Sequence, residues 1–132
     1  MICGHSNTSV NVQGGTFEIS GGTTRICGPT SGDTTILDYD TSGIIIGGTF
    51  IGTGAVQMAQ TFSSSEQGVI TMKVNNQQAG TKIELVDGQG MSILSCEPEL
   101  SYGMVILSSP EIIRGETYMV TIGDTTEKVV AD

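Results

Sequence analysis

The stretch "GGTFEISGGTTRICG", Gly14 to Gly28, followed by "IGGTF", Ile46 to Phe50, decides how this chain folds. Gly-Gly-Thr-Phe is written at 14–17 and again at 47–50, and a near-copy, "GGTTRICG" from Gly21 to Gly28, directly follows the first. Between the glycine pairs stand short alternating segments: Val10-Asn11-Val12, Phe17-Glu18-Ile19, Ile44-Ile45-Ile46 and Phe50-Ile51. Alternation at period two reads as strand, and a Gly-Gly pair supplies the positive φ of a sharp corner. Strands and corners repeated in register describe a solenoid, in which each turn of chain stacks on the last, the plain alternative being an antiparallel sandwich with repetitive hairpins. Stacked rungs lie about 4.8 Å apart, so the repeat predicts Phe17 and Phe50 in one interior column. Thr after each Gly-Gly suits an outward ladder of β-branched side chains.

The grammar changes near residue 57. Residues 1–57 hold 12 of the 19 glycines and five charged residues, whereas the remainder holds seven glycines, fourteen charged residues and all three lysines. The second part alternates as "VITMKV", "KIELV", "MSIL", "GMVIL" and "TYMVTI", with Asp87-Gly88-Gln89-Gly90 as a tight turn between the second and third. Strand, turn, strand is a hairpin signal. The expected fold is therefore all-β. A short solenoid over 1–57 is followed by an antiparallel sheet or half-sandwich over 58–132, which caps the open rung end as one folding unit.

Composition excludes several function classes. Five Lys plus Arg against fourteen Asp plus Glu give a net charge of −9, which argues against nucleic acid, since phosphate neutralisation needs clustered cations. The same balance is compatible with calcium. No stretch reaches the length of a membrane helix, so no membrane insertion is expected, and "MICGHSNTSV" lacks the order of a signal peptide. Cys3, Cys27 and Cys96 are too few, and odd in number, for a disulfide scaffold. Thiols are the favoured reading, with a Cys3–Cys27 bridge between rungs left open. Without a Cys/His cluster, zinc is not expected.

The words "GGTFEISG", "GPTSGDTTILDYD", "IIIGGTFIGTGAVQMAQTFSSSEQ", "GTKIELVDGQGMSILSCEPELSYGMVILSSPEI" and "GETYMVTIG" run in order from Val10 to Gly123. In this ordered combination the chain resembles the C-terminal part of a bacterial family of carbohydrate-binding domain-containing cell-surface proteins. Those proteins have a right-handed parallel β-helix related to polysaccharide lyases, which implies that the solenoid over 1–57 is a short right-handed parallel β-helix. The resemblance implies an extracellular or cell-surface location and non-catalytic binding of plant-type polysaccharide, acidic sugars included, with calcium on the solenoid.

Among candidate sites, Asp38-Tyr39-Asp40 with Asp33 nearby is the best cluster for a hard cation. In an extended chain Asp38 and Asp40 project to one side, and corner carbonyls would complete the oxygen ligands; the plain alternative is a solvated turn capped by Asp. A sugar platform asks for an exposed aromatic face. With no Trp, and with Phe17, Phe50 and Tyr118 assigned to the core, Tyr39 and Tyr102 remain as platforms. Arg25 and Lys73 are candidate cations for acidic sugar, although isolated surface cations are usually solvated only. Catalysis is not expected. His5 is the single histidine, Ser63-Ser64-Ser65 reads as a polar loop without the Gly-x-Ser-x-Gly frame, and the solenoid half has one base, Arg25. Met58, Met72, Met91, Met104 and Met119 read as core filling.

Three functions follow from these readings. The first is a carbohydrate-binding module, assisted by calcium. The second is a self-assembling structural protein, a filament or fibre subunit, joined as a homo-oligomer or polymer by strand pairing through the open β-helix end. The third, a residual polysaccharide lyase, ranks last.

Overall fold

The structure is a computed structural model and describes residues 2–3, 10–12, 16–27, 37–39, 42–54, 62–98 and 101–132. Twelve strands and no helix occur among the described residues. The fold is all-β, and its sheets are open.

The organising pair is β3 (Thr16–Cys27) and β5 (Ser42–Gly54), which run parallel. Thr16 lies opposite Ser42 and Cys27 opposite Thr53, 26 residues further on in each case. Between these ends the register slips at Ile19/Ser20 and Ser20/Thr23, where the chain turns its corner. A Cβ on Gly47 would stand 2.5 Å from the Ser20 carbonyl oxygen, and one on Gly48 would meet the Gly21 and Gly22 backbone at 2.6–2.7 Å. Gly48 also has φ +82, and Gly22 φ +74. Backbone thus rests on backbone at the corner, which glycine alone permits.

The repeat that stacks is accordingly Gly21-Gly22-Thr23 on Gly47-Gly48-Thr49, with Thr23 opposite Thr49. The two "GGTF" words do not stack on each other. Phe17 lies opposite Gly43 and Phe50 opposite Thr24, so the expectation of Phe17 and Phe50 in one column is corrected. The contact selects glycines at the corner and is indifferent to the Phe that makes the words look alike.

Parallel pairing recurs around this core pair. β1 (Ile2–Cys3) pairs with β3 through Ile2–Thr24 and Cys3–Arg25. β2 (Val10–Val12) pairs with β4 (Leu37–Tyr39) in a separate two-stranded sheet. β6 (Ser64–Ser65) pairs with β5 at Ile44 and Ile45. Ser63-Ser64-Ser65, read as a polar loop, therefore supplies a parallel strand instead; the Ser63 hydroxyl accepts from Gly43 N–H at 3.1 Å and donates to Gly43 O at 3.0 Å.

Past its corner, β5 meets β10 (Tyr102–Ser108) antiparallel, from Phe50–Ser108 to Gly54–Met104, and β7 (Val69–Gln77) follows on the far side of β10. The first sheet therefore reads β1-β3-β5-β10-β7 with β6 beside β5, and it crosses residue 57 through hydrogen-bonded strands. The second sheet, antiparallel throughout, reads β12-β11-β8-β9: β8 (Ile83–Val86), β9 (Ser92–Cys96), β11 (Thr117–Ile122) and β12 (Thr125–Val130). The hairpin expected at Asp87–Gly90 joins β8 to β9. Asp87 Oδ1 accepts from Gln89 N–H at 2.8 Å and Met91 N–H at 3.0 Å, and Gly90 has φ +85. β12, "TTEKVV", has no clear alternation and is invisible to pattern reading; it forms as the partner of β11.

β10 is buried at all seven residues. Its alternation divides the interior in two. Val105 and Leu107 join Ile51, Ile70 and Met72 against Leu85, Tyr118 and Val120 of the second sheet. Met104 and Ile106 join Ile45, Phe50, Phe62 and Val69 on the opposite face, where the Phe50 and Phe62 rings meet edge to face at 5.0 Å. At about 1.5–3 kcal/mol per large apolar side chain removed from water, β10 anchors both clusters. Met72 and Met104 fill core as expected, but Met91 is 65% exposed at the hairpin tip.

The stacked corner makes a contrast between two glycines. Gly48→Ala forces a Cβ into backbone at positive φ and is expected to cost about 2–4 kcal/mol. Gly21→Ala meets nothing within 4 Å and is expected to change stability by no more than about 0.5 kcal/mol. Urea unfolding of the two variants measures the difference, and equal costs would refute the stacked corner.

Candidate functional site

The expected site residues fall on three separate parts of the fold. Asp38 and Tyr39 are in β4, opposite Asn11 and Val12 of β2. Asp33 and Asp40 lie outside the described residues. Arg25 is in β3, between Cys3 on one side and Ile51 on the other, and so belongs to a different sheet from Asp38 and Tyr39. The side chains of Arg25, Asp38 and Tyr39 are likewise outside the description, as are those of Phe17, Cys3 and Cys27. What the backbone establishes is that Asn11 and Asp38 share one register position on adjacent parallel strands. An amide and a carboxylate are oxygen donors of the kind a hard cation takes, though two are fewer than calcium requires. Among the described residues no group of three or more His, Cys, Asp or Glu is placed to hold a metal.

Tyr102 is corrected. It opens β10 with 1% of its surface exposed, so it offers no face to a sugar. Its hydroxyl donates to Thr81 O at 2.8 Å. Burial, with the nearby Cys96 thiol adding to it, pushes the phenol up to about 12. Tyr118, assigned to the core from its alternating strand, is 4% exposed, and its hydroxyl accepts from Ile113 N–H at 2.7 Å. Both tyrosines keep a polar tip bonded while burying the ring, which is how tyrosine enters a core. Cys96 is a buried thiol at the end of β9.

A polar network that the sequence does not announce sits behind the glycine corner. Gln67, 8% exposed, spends both amide hydrogens: Nε2 donates to Gly48 O and to Ser108 Oγ, each at 2.8 Å. Ser108, fully buried, passes its own hydrogen to Gly68 O at 2.7 Å. The corner glycine Gly48, the end of β10 and the entry to β7 are thereby joined through one side chain. A buried amide left unpaired here would cost about 1–3 kcal/mol, so each member depends on the others. The only hint in the sequence is a Gln followed by an apolar strand, "EQGVIT", which by itself reads as a loop.

No protein family, curated protein or solved structure matches the chain.

The position of Tyr102 predicts an alkaline limit to stability. Its folded pKa lies above the ordinary 10.0. Its contribution is thus whole below pH 10 and is lost as pH rises from 10 to about 12, because the unfolded chain releases the proton first. Tyr102→Phe is expected to lose about 1 kcal/mol at neutral pH with the bond to Thr81, and to flatten the fall of stability above pH 10. Urea unfolding across pH 7 to 12 reads both. An unchanged alkaline slope in the variant would assign the fall to another group.

Proposed function

We propose that the chain is a non-catalytic carbohydrate-binding module of an extracellular or cell-surface protein, built on rungs of a right-handed parallel β-solenoid and closed by an antiparallel cap. The observation that carries the reading is the order of parallel pairing. β1, β3 and β5 enter one sheet while β2 and β4, which alternate with them along the chain, pair in another. A chain that returns to each sheet after about one turn, with parallel neighbours every time, winds as a coil, and parallel crossovers are overwhelmingly right-handed. Such a coil repeats side chains at about 4.8 Å along flat faces. That geometry suits a linear polymer better than a single small molecule.

The rung sheet of β2 and β4 is the proposed binding region, and because consecutive residues of a strand project to opposite faces, the Asp38 face and the Tyr39 face are alternative platforms on it. Tyr39 supplies the ring that a sugar face packs against. Calcium held by Asp38 with Asp33 and Asp40 would bridge to uronate carboxylates, the route by which a chain of net charge −9 meets an acidic polysaccharide. Arg25, on the neighbouring sheet, is a secondary cation. Retention on cellulose, xylan or pectate, tested with calcium and again with chelator, is the expected outcome. Failure on all three with calcium present overturns the reading, and release of unsaturated uronides from pectate would replace it with lyase activity.

A second reading, self-assembly, is favoured by one observation. Among the described residues no strand pairs with the outer edge of β3 over residues 16–23, and Gly21 and Gly22 have open space on that side. An edge of that length is a template for another strand. Sedimentation velocity over a range of concentrations tests it: mass growing with concentration supports assembly, and a monomer throughout excludes it.

A further inference from the structure

We propose a second ligand site, in the cap, that takes a single neutral pyranose unit of a glycan. It lies where the sandwich of two sheets stands open at one side. Val69 and Asp132 exchange backbone hydrogen bonds, with N to O distances of 3.1 and 2.9 Å, and so tie the start of β7 to the second residue after the end of β12. Beyond that tie, the outer edge of β7 and the β11–β12 hairpin enclose a cleft of about 190 Å³.

The floor of the cleft is aliphatic: Val120 is fully buried, Ile122 is 7% exposed, and Val74 packs on the same core. Strand register places the walls. Glu127 lies directly opposite Val120, and Thr125 opposite Ile122. Cross-strand partners share a face, so Thr125 and Glu127 project to the inner side of the second sheet and not to its outer surface. From the β7 side the cleft is lined by Lys73, Asn75 and Gln77, of which Lys73 lies opposite Met104 and so starts from the face of β7 turned away from the second sheet, lining the cleft at the strand edge. Among the described residues neither Lys73 nor Glu127 forms an ion pair, and Thr125 makes no side-chain hydrogen bond.

These observations choose the class of ligand. The volume is below the roughly 300–1,000 Å³ of a drug-sized pocket and suits one ring. An apolar floor accepts the C–H face of a pyranose, while an ammonium, a carboxylate, amides and a hydroxyl supply donors and acceptors around its rim. One positive and one negative group balance each other, so the cleft favours a neutral sugar, unlike the acidic polymer proposed for the rung face. The inference extends the carbohydrate-binding reading to a different site and stands or falls apart from it.

The test is amide NMR titration of the whole chain with cellobiose, xylobiose and digalacturonate, with Glu127→Gln, Thr125→Val and Lys73→Gln as variants. Saturable shifts at Val74, Asn75, Val120 and Thr125 with a neutral disaccharide, at a Kd of about 1 mM, are expected. Each charge-removing variant should weaken binding about tenfold with unchanged folding. No shift at these amides with either neutral disaccharide overturns the site. So does a Glu127→Gln chain that binds as before but self-associates, because Glu127 would then serve only to guard an edge strand. Retention on polysaccharide with a silent cleft overturns the cleft alone; cleft shifts without retention overturn the rung-face reading alone.

Discussion

The contact on which the rest of the structure depends is the seating of Gly47-Gly48 on Gly21-Gly22. A Cβ on Gly48 would stand inside the backbone of Gly21 and Gly22, and one on Gly47 would strike the carbonyl of Ser20 just before them. The corner therefore lets two strands follow each other around a bend without separating, and the slips of register between Ile19 and Thr23 are where this happens. β3 covers one edge of β5 throughout, and because β5 turns here, its other edge is divided between two partners. The half before the corner receives β6 in parallel, and the half after it receives β10 antiparallel. One glycine pair is in this way the junction between two kinds of sheet.

That junction is held from behind by Gln67, which ties the Gly48 carbonyl to Ser108 at the end of β10. β10 in turn contributes alternate residues to apolar clusters on both of its faces. Corner, amide and central strand form one cooperative unit, since neither cluster closes unless β10 lies between β5 and β7. The two proposed sites divide in the same way: the polymer is proposed for the repeated parallel strands, and the single ring for the cleft between β7 and the β11–β12 hairpin.

Much of this was legible in the residues. Period-two alternation located β7, β8, β9, β10 and β11, because a half-buried strand must alternate. Asp87-Gly88-Gln89-Gly90 announced its hairpin, because its geometry is local and its Asp bonds its own turn. Phe50 and Tyr118 were recognisable as core. Tyr102 was not, since it follows a glutamate-containing segment at the start of its strand and its burial comes from β10 lying in the middle of a sheet. Of the candidate site, the sequence offered Asp38 and Tyr39 as ligand types, Tyr102 proved buried, and the backbone added that Asp38 shares a register position with Asn11.

The sequence by itself determined that the chain is all-β, that glycine pairs turn its corners, and that its two parts follow different rules of pairing. Those properties are set by neighbours within a few residues: torsional freedom at glycine, alternation along a strand, side-chain bonds within a turn. Only the tertiary structure decided which glycine pair stacks on which, that Ser64 and Ser65 belong to a strand, and that Gln67 and Tyr102 are each buried. Each of these depends on how far the chain travels before it returns. The two identical words stand 33 residues apart, but the pairing repeats after 26. Identity of letters cannot reveal that interval, because it is fixed by the packing of whole strands against one another.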